Sequence, residues 1–166
     1  MATVTLRGAP VQTSGELPKI GGEAPGFRLA NRDLKDVSLH EFVGKKKVLN
    51  IFPSIDTPVC ATSVKKFNER MRGRSDVALL MIAADLPFAF KRFCGAENID
   101  NVITLSTFRS QAFLKDYGVL IETGPLAGLA ARACVVLDQD NKVIHAELVP
   151  EIGQEPDYDA ALKAVA

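Results

Sequence analysis

Tryptophan is absent from this chain, net charge is absent, and cysteine is scarce. Twenty Lys and Arg balance twenty Asp and Glu across 166 residues. That balance gives no bulk attraction to nucleic acid or to an anionic membrane, so neither is expected as a partner. No apolar run reaches the roughly 18 residues of a membrane-spanning helix. The opening stretch MATVTLRGAPVQTSG lacks the apolar core of a secretory signal, which makes the cytoplasm the expected compartment. Three cysteines, Cys60, Cys94 and Cys134, are too few and too odd in number for a disulfide framework. There is no CxxC pair, and His40 and His145 stand apart from the cysteines and from each other. A structural zinc needs closely spaced ligand pairs, so no metal or other cofactor is expected.

What is present is ordinary globular sequence, 47% hydrophobic and 24% charged, enough for one domain over residues 1–166. Residues 2–20 alternate and then break at Gly8, Pro10 and Ser14-Gly15, predicting an N-terminal β-hairpin as an appendage. FRLAN (27–31) reads as a short strand, and DLKDVSLHEFVG as a turn followed by a helical turn from Leu39 to Val43. The lysine triplet 45–47 reads as a solvated lead-in, with an acidic docking partner as its alternative use. Val48–Phe52 is then a buried central strand.

A helix follows from a Thr57 cap to about Arg72, with Gly73 as its stop. Strand 76–84, a short helix ending near Gly95, strand 102–106 and a helix over 110–117 come next. GPLAGLAAR reads as loop. Strands 133–138 and 142–149 form a hairpin around Asp140-Asn141, and a final helix starts near Pro156. This order is α/β: a thioredoxin-like layout with a mixed central sheet flanked by helices, plus the N-terminal hairpin.

The stretch PSIDTPVC, residues 53–60, carries the chemistry. With Thr57 as cap and Pro58 at the first helical position, Cys60 is the third residue of the helix. The first-turn N–H groups have no intrahelical partners and favour a thiolate. Such a helix start also lies at the carboxyl end of a buried strand, where open α/β folds place their sites. The Thr57 hydroxyl is one turn back, in reach of the sulfur or of a bound oxygen. Against reactivity, Cys60, Val64, Phe67 and Met71 form one apolar stripe, and Asp56 is a nearby carboxylate. The two readings stand about level. No Lys or Arg precedes Lys65 in this helix, so a thiolate needs a cation from elsewhere. Arg132 is the candidate, because strand 133–138 should run antiparallel to strand 48–52 and begin where that strand ends.

Pro53, Thr57 and Cys60 fit the P-x-x-x-[TS]-x-x-C signature of the peroxiredoxins. KVLNIFPSIDTPVC, ADLPFAFKRFCGAE, NVITLSTFR and GPLAGLAARA together resemble the bacterial atypical two-cysteine branch of that family, over nearly the whole chain. The resemblance implies a thiol-dependent peroxidase for hydrogen peroxide and alkyl hydroperoxides. It makes Cys60 the attacking thiol, Thr57 and Arg132 its orienting groups, and Pro53 its shield. Cys94 becomes the resolving thiol of an intrasubunit disulfide, which thioredoxin re-reduces, and the chain is expected to form a homodimer. Phe52 and Val59, close to Cys60 in sequence, mildly favour organic hydroperoxides. Cys134 has no role in the pattern and reads as core filler, and Pro58 stands where that branch has a small residue. A general thiol–disulfide oxidoreductase and a peroxide-sensing interaction protein are the alternatives. The missing CxxC weighs against the first, and sustained peroxide turnover would separate an enzyme from the second.

Overall fold

The computed structural model describes all 166 residues, Met1 to Ala166. The chain opens with β1 (Thr3–Leu6) and β2 (Ala9–Gln12), a separate antiparallel pair. Its two-residue turn has both central residues in the left-handed region, Arg7 at φ 51° and Gly8 at φ 82°, which matches the right-handed twist of the flanking strands. β3 (Arg28–Ala30) and β4 (Asp36–Ser38) follow, then a 3₁₀ turn over Leu39–Phe42. The main body is β5 (Lys46–Ile51), α1 (Pro58–Arg70), β6 (Val77–Ala83), α2 (Pro87–Ala96), β7 (Ile103–Ser106) and α3 (Ala112–Asp116). β8 (Ala133–Leu137), β9 (Val143–Leu148) and α4 (Tyr158–Ala164) close the chain.

Seven strands form one mixed sheet in the order β4-β3-β7-β6-β5-β8-β9. β5, β6 and β7 are parallel, whereas β8 is antiparallel to β5 and β9 to β8. The chain steps across the sheet from β5 to β6 to β7 in one direction. Right-handed crossovers taken twice in the same direction put both crossover helices on the same face. α1 and α2 accordingly share one core of 20 buried residues with α4, around Phe52, Phe67, Phe90 and Tyr158. The opposite face holds 18 residues around Phe27, Phe113 and Tyr117. A small third cluster joins the hairpin to the body through Val4, Val11, Ile121, Ala131 and Ile152.

Three local readings change. The turn before Leu39 contains a strand, β4, too short at three residues to show an alternation. α1 ends at Arg70, two residues short of the expected end at Arg72. Of the lysine triplet, Lys47 is not solvated. It lies inside β5 and is fully buried, with Nζ donating to the carbonyl oxygens of Asp138 (3.0 Å) and Gln139 (3.4 Å). Burial lowers its pKa from the ordinary lysine value. A central strand covered on both sides buries even the residues at its charged end.

Gly118 carries a close approach in this fold. It has φ +68°, and a side chain there would overlap the Glu16 carbonyl. Gly118→Ala should therefore lower stability by about 3 kcal/mol, through left-handed strain and overpacking together. A urea midpoint unchanged from the parent would contradict this account.

Candidate active site

α1 begins where β5 releases the chain, and Pro58 and Thr57 define its start as the sequence indicates. Cys60 is its third residue, fully buried on a stripe with Val64, Phe67 and Met71. The sulfur is core, as the apolar stripe implies, and it also meets a charged side chain. The β5–β8 register pairs Ile51 with Ala133, which brings Arg132 to the end of β5. Arg132 Nη2 donates to Cys60 Sγ at 3.3 Å, across 72 residues of sequence. Its Nε donates to the Ile152 carbonyl oxygen at 2.9 Å, and Nη1 is buried without a partner. The guanidinium is only 2% exposed. None of the chain's six ion pairs includes it. A buried cation without a carboxylate is costly unless something else takes its charge. The acidic group within hydrogen-bonding distance of it is the Cys60 thiol.

A cavity of about 670 Å³ opens beside Arg132, with Cys60 buried behind its wall; Pro53, Thr57, Val59 and Arg132 line it from the body. Its other walls are Leu6, Arg7 and Pro10 of the hairpin and the turn Glu151–Gly153. Pro53 is buried at this wall. The hairpin's share was not legible, because nothing in its alternating sequence says where it docks. Thr57 caps α1 with backbone only: its hydroxyl donates to the Ser54 carbonyl at 2.9 Å, not to the sulfur. The hydroxyl proton is thereby committed, which leaves the oxygen as an acceptor at the cavity. Asp56 is exposed and paired with Arg92 at 2.6 Å, so its carboxylate faces α2.

Cys94 is buried too, at 2% exposure, in the third turn of α2. It belongs to the same core as Cys60, neither sulfur lies in the cavity wall, and both are free thiols. Burial pushes the Cys94 thiol pKa up from its usual value. Cys134 lies in β8 opposite Asn50 and Glu147, wholly buried, and burial raises its pKa strongly. His40 is exposed and His145 is half-buried on β9, both outside the cavity. No group of three or more His, Cys, Asp or Glu side chains is arranged to hold a metal ion.

Asp85 is a residue that sequence reasoning passed over. It follows β6, and its Oδ1 accepts from the Ser54 hydroxyl and its Oδ2 from the Ile55 amide, both at 2.7 Å. One carboxylate thus clasps the loop that leads into Cys60 and also opens the segment leading into α2. An Asp two residues before the Pro that starts a helix was the available signal, and it was read only as a helix start.

Glu151 plays a comparable part on the other wall. Its Oε1 accepts from Thr5 Oγ1 and the Gly8 amide, both at 3.0 Å, and its Oε2 from the Gly153 amide at 2.8 Å. Donors from Gly153 first, and then Gly8, hold its pKa down at about 2.

Two outcomes follow from these clasps. Removing the Asp85 carboxylate (Asp85→Ala) should cost about 2 kcal/mol, since hydrogen bonds to a charged group are the stronger kind. It should raise amide exchange at residues 54–57 at least about tenfold, while exchange in β8 stays within about twofold; unchanged loop exchange would count against the clasp. For Glu151, a depressed carboxylate pKa stabilises above the ordinary value of 4.5 and loses that contribution as pH falls through about 2. The Gly8 and Gly153 amides should therefore keep their protection at pH 4 and lose it towards pH 2, and loss already at pH 5 would refute the assignment.

Comparison with known proteins agrees with this geometry. Residues 19–162 match the Redoxin family model. The chain is 55% identical over 165 residues to a thiol peroxidase of Mycobacterium bovis, covering 99% of each chain. A peroxiredoxin-like protein from Aquifex aeolicus superposes with a TM-score of 0.94 at 43% identity, over 99% of this chain and 96% of that one. The thiol peroxidase from Chromobacterium violaceum superposes with a TM-score of 0.90 at 25% identity, over 98% of this chain and 95% of that one. A mixed sheet with helices, a cysteine at a helix start, and a relationship spanning nearly the full chain lead to one assignment: this chain belongs to the Redoxin family and is a peroxiredoxin enzyme of the thiol peroxidase group.

Proposed function

We propose that the chain reduces hydroperoxides through Cys60, resolves the product with Cys94, and is recycled by thioredoxin. The observation that carries this reading is the contact between Cys60 Sγ and a buried guanidinium that forms no ion pair. Such a contact strengthens as the sulfur gains negative charge, so Arg132 stabilises the attacking form.

The sulfur attacks the outer oxygen of the hydroperoxide. An S–O bond forms, the O–O bond breaks, and the remaining oxygen leaves as an alcohol, or as water from hydrogen peroxide, after taking one proton. Arg132 Nη1, free of any protein partner, supplies a donor for the charge developing on the leaving oxygen. The Thr57 oxygen accepts a hydrogen bond from the hydroperoxide O–H, because its own proton is given to the Ser54 carbonyl, and the proton taken by the leaving oxygen is the one the Cys60 thiol gave up. Pro53 closes the wall and limits water at the sulfur. A cavity of about 670 Å³ with largely apolar walls far exceeds the need of hydrogen peroxide, so organic hydroperoxides are the better fit.

The Cys60 sulfenic acid then condenses with the Cys94 thiol, giving a disulfide and water. Cys60 is third in α1 and Cys94 eighth in α2. Five residues of offset along helices that both start at the carboxyl ends of their strands is about 7.5 Å. Lateral separation adds to that, whereas a disulfide needs Cα atoms within about 7 Å. One or both helices must open for the bond to form, which couples resolution to a local unfolding. Thioredoxin reduces this disulfide by thiol exchange, and the enzyme acts in the cytoplasm as a single-domain homodimer, with the apolar PLAGLA loop, residues 125–130, contributing to its contacts.

A coupled assay with thioredoxin, its reductase and NADPH tests the cycle. Cys60→Ser should abolish turnover, by at least about 10³-fold. Cys94→Ser should consume about one hydroperoxide per chain and then stall with thioredoxin. Full turnover by the Cys60 variant would reject the assignment, and full turnover by the Cys94 variant would reject the resolving step alone.

A further inference from the structure

The guanidinium of Arg132 is oriented by one protein oxygen, the carbonyl of Ile152. That carbonyl belongs to the stretch between β9, which ends at Leu148, and α4, which begins at Tyr158. The stretch starts from a bond to the large sheet, the Val149 amide donating to the Arg132 carbonyl at 3.0 Å; beyond it no strand of that sheet pairs with Ile152, and the hairpin holds the chain there. The Thr5 amide donates to the Pro150 carbonyl and the Ile152 amide donates to the Thr5 carbonyl, each at 2.8 Å. Between those two bonds lies Glu151, whose carboxylate takes the Thr5 hydroxyl, the Gly8 amide and the Gly153 amide. The Ile152 side chain packs beneath with Val4 and Val11 of the hairpin.

We propose that Glu151 is a positioning residue for the peroxidase reaction: by clasping the β1–β2 hairpin it fixes the Ile152 carbonyl, which aims Arg132 at the Cys60 sulfur. The inference rests on the reading of Cys60 and Arg132 given under the proposed function. The chain of contacts is unbroken, from Gly8 and Thr5 through Glu151 to Ile152, Arg132 and Cys60, with no link longer than 3.3 Å. A two-stranded hairpin is marginal by itself, so the carboxylate that fastens it governs how firmly the turn below it is held. Misplacing an oriented catalytic group by about 1 Å can cost about a hundredfold in rate. The same hairpin forms one wall of the cavity, through Leu6, Arg7 and Pro10. Loosening it therefore acts twice: on every hydroperoxide through Arg132, and additionally on bulky ones through the wall.

A double-mutant cycle tests this on the full-length reduced chain. Cys60 oxidation by hydrogen peroxide and by cumene hydroperoxide is followed in rapid-quench experiments with mass-spectrometric detection. Glu151→Ala should slow oxidation by hydrogen peroxide at least about tenfold, and by cumene hydroperoxide more. In an Arg132→Lys background, itself slowed, the same change should slow the hydrogen peroxide reaction less than about twofold, because the aiming is already lost. Glu151→Gln keeps one acceptor oxygen for Thr5 and Gly8 and should recover most of the rate. Should Glu151→Ala not fold, Thr5→Val removes the hydroxyl at the far end of the clasp and should give a smaller loss of the same pattern. Equal losses in both backgrounds, or no loss in the parent, overturn the proposal while leaving Cys60 and Arg132 in place. An Arg132→Lys chain as fast as the parent overturns the site reading itself, and the proposal with it.

Discussion

A guanidinium shut away from water and turned onto a sulfur is the constraint around which the rest of this molecule is arranged. Arg132 is buried, forms no ion pair, and donates to Cys60. A buried cation outside any ion pair is costly to a fold, and here the Ile152 carbonyl and the nearby Glu155 carboxylate offset part of that cost. In the proposed attack, the charge that develops at the sulfur faces this guanidinium. The strain of burying Arg132 and the readiness of Cys60 to react are thus two descriptions of one contact. The contact exists because β8 is antiparallel to β5 with Ala133 opposite Ile51, so that one strand starts where the other finishes.

The sheet order then decides what else can reach the site. Stepping from β5 to β6 to β7 in one direction places α1 and α2 side by side on one face, and with them Cys60 and Cys94. The segment before α2 is tied to the loop before α1 by Asp85, and α2 itself by the Asp56–Arg92 pair. These ties hold the loop in its reactive shape while both helices are formed. The other side of the cavity is separate in origin: the hairpin and the turn at 150–153 belong to no part of the large sheet, yet they hold the carbonyl that orients Arg132.

Most of the central fold was legible because its signals are local. A buried apolar run followed by Thr57-Pro58 fixes a strand, a helix start and the third-residue position of Cys60, all within a dozen residues. Arg132 was legible for a different reason: antiparallel pairing of two apolar strands leaves little freedom about which ends meet. Where the reading failed, the deciding partner lay far away. Lys47 is buried because β6 and β8 flank it and the Asp138 and Gln139 carbonyls receive its ammonium. The Thr57 hydroxyl turns to Ser54 because the loop shape brings that carbonyl within reach, a detail no capping rule contains. Asp85 and Glu151 look like ordinary loop acids in the sequence. Only the folded chain shows that each gathers donors from a segment at least 30 residues distant.

The three thiols differ by environment alone, and the difference orders the proposed chemistry. Cys60 faces a cation, whereas burial without one raises the pKa of Cys94 and, more strongly, of Cys134. In the proposed resolving step, Cys94 starts deeper in its helix than Cys60 does, with a thiol that burial keeps from ionising. Opening α2 removes both obstacles together, because water restores the acidity of the thiol as the unwound chain restores its reach. In the proposed cycle, attack on the hydroperoxide needs the fold intact around Arg132, and resolution needs part of it undone. Two buried cysteines on one face of the sheet meet both demands in sequence, and Cys134, locked between β5 and β9, can take part in neither.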